Sequence, residues 1–239
     1  ALDLPPERVR VIYPAIGGAF GTMKELRVPI VLALAAWKLG RPVKTVWSRD
    51  ESIVGHCKRH PMWLRCKWGA TRAGKLVAAE VKVVADGGAY CYTTNKVLGN
   101  TTVTCTGPYE IPNVHVDVDG VYTNNLPSGA FRGFGAPQGA FAAEMQMNKL
   151  ARVLDLDPVE LRMRNLLRDA SLTAMGTPLV GGVGLVEVTE QCALAAGWER
   201  REGAWHRAAE TGVAGNVRKG LGIATAFKNV GFSYGYQDD

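Results

Sequence analysis

The residues of this chain with the most chemical potential stand among its glycines. Between Pro127 and Gln138, five of twelve residues are glycine or proline. Phe131, Arg132 and Phe134 interrupt them where neither propensity nor core periodicity asks for bulk. Glycines around a large cation and two rings imply close approach of the backbone to a ligand. Arg132 can fork two or more hydrogen bonds onto oxyanions or heterocycle carbonyls. Phe131 or Phe134 can offer a face to a flat ring. The alternative is that both phenylalanines are core and Arg132 is a surface ion-pair partner, and the residues alone leave this open. A second glycine loop, Gly17 to Gly21, offers backbone N–H groups at the start of a helix, which suits a phosphate or another polyoxygen ligand. A tight structural turn is the alternative there. Gly21-Thr22-Met23-Lys24 lacks the ending of a phosphate-binding P-loop, and the dinucleotide fingerprint is absent.

Other reactive side chains read as structural. The five cysteines, Cys57, Cys66, Cys91, Cys105 and Cys192, form no C-x-x-C pair. Their odd number and wide spacing argue against a disulfide framework and against a zinc or iron–sulfur site. Buried free thiols in a reducing, cytoplasmic compartment are the expectation. His60 reads as a hydrogen-bonded structural residue, Glu25 as a capping residue and Glu144 as a helix-face residue.

The elements that must position the two loops follow from periodicity and stop signals. Val9 to Tyr13 reads as a strand feeding the first loop, and Thr22 with Glu25 makes a capping box that opens a helix through Trp37. Pro29 predicts a kink or a late start, and Gly40-Arg41-Pro42 a stop. A short strand at Val43–Trp47 precedes a polar turn, Ser48 to Glu51. Met62–Trp68 and Leu76–Ala85 predict an antiparallel pair joined through Ala73-Gly74, with Val77, Ala79, Val81 and Val83 on one face and Glu80 and Lys82 on the other. Residues 89–108 read as irregular, and Val114–Tyr122 as another strand. The second loop runs into a helix from Gln138 to about Leu154 with Phe141, Met145, Leu150 and Val153 as its apolar residues. Asp157-Pro158-Val159-Glu160 starts a further helix with N-cap, proline and acid in order. A third helix spans Val186–Ala196, closed by Gly197, and Gly220–Phe227 reads as a strand. Strands and helices do not alternate regularly, so the fold class is α+β with mixed sheets and packed helices. Residues 1–125 form the strand-rich part and 126–239 the part with the second loop and helices.

Composition bounds the function. A chain of 239 residues can bury a real core. Its net charge of +6 suits acidic partners or an anion, yet no Lys/Arg block of five or more occurs, so nucleic acid is not expected. The longest apolar candidate, around Val28–Trp37, is too short to span a membrane, and Ala1-Leu2-Asp3-Leu4-Pro5-Pro6 does not read as a signal peptide.

Seven ordered motifs resemble the xanthine dehydrogenase/aldehyde oxidase family of molybdenum hydroxylases. They are Gly17 to Gly21, Gly40 to Val43, Arg49-Asp50-Glu51, Arg59-His60-Pro61, Tyr109 to Asn113, Thr123 to Gln138 and Arg162 to Leu166. They cover nearly the whole chain, and Phe131 to Gly135 is the most specific. The resemblance implies the first half of the molybdopterin-binding region. It places Gly18, Ala19, Phe20 and Gly21 with Ala130, Phe131, Arg132 and Gly133 on the cofactor. Within that set Phe20 and Gly21 line the molybdenum side, and Arg132 with Gly133 contacts the pterin. Phe134 and Asn100 fall to the substrate pocket. It implies molybdenum–molybdopterin, plain or as the cytosine dinucleotide, without a direct metal ligand from this chain. The chemistry implied is oxidation of an aldehyde or N-heterocycle with water. [2Fe–2S] clusters and FAD are expected on partner chains or further segments, in a hetero-oligomer. The family's glutamate base lies beyond Asp239, so this chain carries no catalytic residue and by itself is inactive or incomplete. Thr22-Met23 stands where members often carry Gly-Lys. Xanthine-specific members carry an arginine near the position of Asn100, and Phe131-Arg132-Gly133 departs from the Tyr-Arg-Cys of carbon monoxide dehydrogenases. A cofactor-free structural domain or interaction module retaining the fold is the alternative.

Overall fold

A computed structural model describes residues 4–12, 15, 18–21, 27–207, 215–216 and 220–228. They form two compact units that interleave along the chain. The first comprises Ala1–Pro61, Asp86–Val97 and Gly120–Phe134, and the second Met62–Ala85, Leu98–Asp119 and Gly135–Asp239. The α+β class with mixed sheets and packed helices holds for the described residues.

In the first unit, helix α1 spans Arg27–Leu39. Pro29 is the third residue of the described span. Gly40, at φ 63°, closes it as expected. Thr22 and Glu25 lie outside the described residues. Val9–Ile12 and Val43–Trp47, read as strands, pair with no ladder among the described residues. A β-like pattern states an extended preference, and a strand also needs an edge to pair with. Ser48–Glu51 is not a turn. It opens helix α2, Arg49–Gly55, through a capping box in which Ser48 Oγ accepts from Glu51 N and the Glu51 carboxylate accepts from Ser48 N. The same polar residues satisfy the first turn of a helix.

The sheet carries strands β1, Met62–Ala70, β2, Leu76–Gly88, and β3, Asn113–Tyr122, in the order β1-β2-β3. β1 and β2 pair antiparallel with Leu64 opposite Val83, and the register shifts at Gly69/Ala70. Asn113 Nδ2 donates to Val77 O at the start of β2, and Thr123 N to Gly88 O at its end, so β3 runs parallel to β2. Ala79, Val81, Val83 and Ala85 are buried, whereas Val77 on the same predicted face is exposed. Residues 89–108 are not irregular throughout. Helix α3 spans Thr94–Thr104 despite its Asn, Thr and Gly content. Burial of Val97, Leu98, Thr101 and Thr104 overrides weak helix propensity.

Helix α4, Ala136–Leu154, follows the second glycine loop. Its buried face is not the expected one: Phe141 and Val153 are exposed, while Gly139, Ala142, Ala143, Glu144, Met147 and Ala151 are inside. Small side chains win because the helix packs close to α3. A Cβ on Gly139 would lie 2.9 Å from Thr104 Oγ1 and 3.1 Å from Cys105 N. Helix α5, Pro158–Asn165, has Asp157 as N-cap, its carboxylate accepting from Val159 N. Helix α6 spans Leu185–Ala195. The hairpin of β4, Trp198–Arg201, and β5, Ala204–Arg207, was not expected from a polar stretch. Its Trp198 and Trp205 are buried against Val159 and Ala193, and Trp198 Nε1 donates to the Asp157 carboxylate. Gly220–Phe227 forms no strand. It is instead docked through Thr225 onto α4.

That docking exposes a misreading of Glu144, which is no outer helix-face residue. Its carboxylate accepts from Arg162 Nε at 2.9 Å and Nη2 at 2.8 Å, from Thr225 N at 2.9 Å, and from the hydroxyls of Tyr109 and Thr225. Arg162 is fully buried and also donates to Pro158 O and Asn148 Oδ1. Asn165 bonds Leu76 N, Gly74 O and Leu161 O. The Tyr109 and Arg162–Asn165 motifs therefore bind the second unit's core together. Of the cysteines, Cys57 and Cys105 are buried free thiols, whereas Cys91 and Cys192 are exposed.

Candidate functional site

Both glycine loops belong to the first unit, and they meet backbone to backbone. Gly21 has φ +99°, and a Cβ there would fall 2.5 Å from Ala130 O and 3.0 Å from Phe131 N. Conformation and close approach both demand glycine at this position. Gly17 lies outside the described residues. Gly18, Ala19 and Phe20 are exposed, and Phe20 holds a left-handed φ of 50°.

The second loop is laid down in steps. Asp86 ties the end of β2, accepting from Gly88 N at 2.8 Å, Thr123 Oγ1 at 2.6 Å and Asn125 Nδ2 at 2.5 Å. These bonds, led by that from Thr123, hold its carboxyl below the usual range. Ser128 N then donates to Gly87 O, and Gly129 N to Lys58 O at 2.9 Å, so the loop runs beside residues 57–59. A Cβ at Gly129 would lie 2.8 Å from Cys57 Sγ and 2.9 Å from the Tyr92 ring. The chain then turns, with Phe134 N donating to Phe131 O at 2.7 Å. It leaves through three successive left-handed residues, Gly133 at φ 90°, Phe134 at 51° and Gly135 at 95°. Strain at a non-glycine residue persists only where surrounding contacts over-determine it, and such residues gather at ligand sites.

The result is an alternation of cations and rings. The Arg132 guanidinium lies 5.5 Å from the Phe20 ring centroid, and that of Arg59 lies 4.7 Å from the Phe131 centroid. Arg59 Nη2 donates to Arg132 O at 2.6 Å. Arg132 is exposed and, among the described residues, pairs with no carboxylate and donates to no acceptor. The ion-pair alternative for Arg132 is therefore not what the fold adopts. Phe131 is 37% exposed and Phe134 half-buried, so neither is a core residue. Ala130 is buried beneath the loop. The structure thus brings Gly18, Ala19, Phe20, Gly21, Ala130, Phe131, Arg132, Gly133 and Phe134 together in one unit, whereas Asn100 is buried on α3 in the second unit.

Two neighbours bear on the chemistry. His60 is buried, and its Nε2 lies 2.9 Å from Thr94 Oγ1. Burial pushes its pKa down to about 4, partly opposed by Asp86, so it is neutral at pH 7. That matches a structural histidine. Arg59 is the residue that sequence reading passed over: it stands in the Arg-His-Pro motif, where only the histidine drew scrutiny.

The set fits the pterin cofactor that the resemblance implies. It offers a guanidinium with no acceptor among the described residues, backbone N–H groups and flat faces for an oxygen-rich heterocycle. Among the described residues, no group of three or more His, Cys, Asp or Glu side chains could hold a metal ion. Among the described residues, no helix is long and apolar enough to cross a membrane.

The chain is similar to known proteins over most of its length. The family model described as molybdopterin cofactor-binding domain matches residues 1–166. The chain is 45% identical over 190 residues to the nicotinate dehydrogenase large molybdopterin subunit of Eubacterium barkeri, covering 80% of this chain and 45% of that protein. It is 42% identical over 170 residues to a probable xanthine dehydrogenase subunit of Bacillus subtilis, covering 71% and 23%. The chain thus spans under half the length of either relative. The aldehyde oxidoreductase of Desulfovibrio gigas superposes with a TM-score of 0.72 at 30% identity, over 76% of this chain and 20% of that one. A loop pair built around Gly21 and Arg132, a match over residues 1–166 and these relatives converge: the chain belongs to the molybdopterin cofactor-binding domain family of xanthine dehydrogenase/aldehyde oxidase-type molybdenum hydroxylases.

Proposed function

We propose that this chain supplies the pterin-facing part of the site in a molybdenum hydroxylase that oxidises an aldehyde or N-heterocycle-type substrate with water. The observation that carries the reading is Arg132, presented beside Phe20 on two interlocked glycine loops with no acceptor among the described residues. The guanidinium donates to oxyanions or ring carbonyls at the cofactor's edge. N–H groups of Gly18, Phe20 and Gly21 add donors that need no reorganisation on binding. Phe20 backs Arg132 through a cation–π contact and keeps water from one side of it. Phe134 faces the substrate in this reading. When bound, the molybdenum–pterin group supplies two-electron redox chemistry and an activated oxygen. The cofactor is molybdenum–molybdopterin, plain or as its cytosine dinucleotide. The proton-accepting glutamate, the [2Fe–2S] clusters and FAD belong to further segments or partner subunits in a cytoplasmic hetero-oligomer.

The test uses the natural complex that contains this chain. Aldehydes and N-heterocycles are offered in ¹⁸O-water with an artificial electron acceptor, and the product is weighed by mass spectrometry. Label in the product of one class, lost in the Arg132→Ala complex, supports the reading. Acceptor reduction without label, or labelled turnover unchanged by Arg132→Ala, contradicts it.

A further inference from the structure

We infer that Arg59 is a positioning residue for the Arg132 loop, fixing the direction in which the Arg132 guanidinium is presented; the inference rests on the cofactor-holding reading of that loop. One side chain grips two consecutive loop residues. Its Nη2 donates to Arg132 O at 2.6 Å, and its guanidinium lies 4.7 Å from the Phe131 centroid. Those residues stand directly before the left-handed stretch Gly133, Phe134 and Gly135. A left-handed φ strains a non-glycine residue such as Phe134. The loop's own bond, Phe134 N to Phe131 O, closes the turn and holds the peptide before the Arg132 Cα, not the one after it. The bond from Arg59 holds the peptide after it, and fixing both peptide planes that flank the Arg132 Cα sets where its side chain emerges.

Arg59 is itself held on both sides. Before it, Lys58 O accepts from Gly129 N, and Lys58 Nζ donates to Ser52 O and His56 O at the end of α2. After it, His60 is buried against Thr94. The planar guanidinium can donate to a carbonyl and cover a ring at once, which an ammonium cannot. The role therefore calls for arginine, with lysine as a partial substitute.

The experiment measures molybdenum and pterin per polypeptide, with melting temperature, in the full-length protein produced with its cofactor supplied. Wild type is compared with Arg132→Ala, Arg59→Ala and Arg59→Lys. Arg59→Ala is expected to lose roughly tenfold or more in retained cofactor, the worth of one charge-assisted hydrogen bond, with its melting temperature unchanged. Arg59→Lys recovers part of the loss. Wild-type content in Arg59→Ala beside an empty Arg132→Ala overturns the inference and leaves the cofactor reading standing. Full content in Arg132→Ala overturns the reading itself. A loss that tracks a fall in melting temperature and is not repaired by lysine also overturns the inference. If Arg59→Ala does not fold, Phe131→Leu replaces it, removing the ring beneath Arg59: a severalfold loss is expected, and unchanged content overturns the inference.

Discussion

Arg162→Met tests the polar core of the second unit. The wild-type guanidinium makes two bonds to one Glu144 oxygen, at 2.9 and 2.8 Å, and reaches Pro158 O and Asn148 Oδ1 at 2.9 and 3.0 Å. Its side chain is 0% exposed and that of Glu144 is 10% exposed. Methionine keeps most of the volume and removes the charge, so Glu144 becomes a buried carboxylate without its cation. Breaking one side of such a pair costs about 3–5 kcal/mol. Three donors remain on Glu144, from Tyr109 and from the N–H and hydroxyl of Thr225, which puts the expected cost near the lower end, about 3 kcal/mol. For a chain of this size that is a fall of roughly 6–12 °C in melting temperature. Thermal unfolding followed by circular dichroism reads it. Adding Glu144→Gln removes the stranded charge while keeping an acceptor for Thr225 N, so the double variant recovers about 1–2 kcal/mol of the loss. A single variant costing under about 1 kcal/mol, or a double whose loss is the plain sum of the two, refutes the argument that the pair acts as one unit.

Two further outcomes follow from the first unit. Gly21→Ala must relieve a 2.5 Å approach to Ala130 O and also hold φ +99°, so it displaces one loop from the other. The expected cost is about 1–3 kcal/mol, with loss of retained cofactor measured as molybdenum per chain. His60 carries a pKa lowered from 6.5 to about 4, so the folded state binds fewer protons than the unfolded one. Its contribution is present above pH 6.5 and lost as pH falls from there towards 4, on the order of 2–3 kcal/mol in all. His60→Asn should flatten that part of the melting profile, and an unchanged acid slope would refute the assignment.

How far the sequence spoke depended on whether a local rule or a tertiary contact decided each element. The β1–β2 pair and the capped start of α5 follow local rules, alternation around a Gly turn and Asp-Pro at a helix entry, and both stand in the structure. α2 follows a local rule as well, yet the polar composition of Ser48–Glu51 masked its capping box. The buried face of α4 could not be read, because Gly139 and Ala143 are inside for closeness, not hydrophobicity, and Phe141 is left outside. Nor could Glu144 be recognised as a core acid, since its partners Tyr109, Arg162 and Thr225 lie 35, 18 and 81 residues away. At the site, the residue types announced a ligand loop. What they did not disclose was that Gly21 abuts Ala130, or that Arg59 reaches 73 residues along the chain to the carbonyl of Arg132.

The central claim is that the Gly21 and Arg132 loops hold a molybdenum–pterin cofactor, and molybdenum content tests it most directly. Elemental analysis is made on this chain alone and on the chain copurified with its partner polypeptides, each as wild type and as Arg132→Ala. The account predicts stoichiometric molybdenum in the copurified wild type and its loss in Arg132→Ala at unchanged melting temperature. No molybdenum in either wild-type preparation, or equal content with and without Arg132, would contradict it and leave a cofactor-free domain that retains the fold.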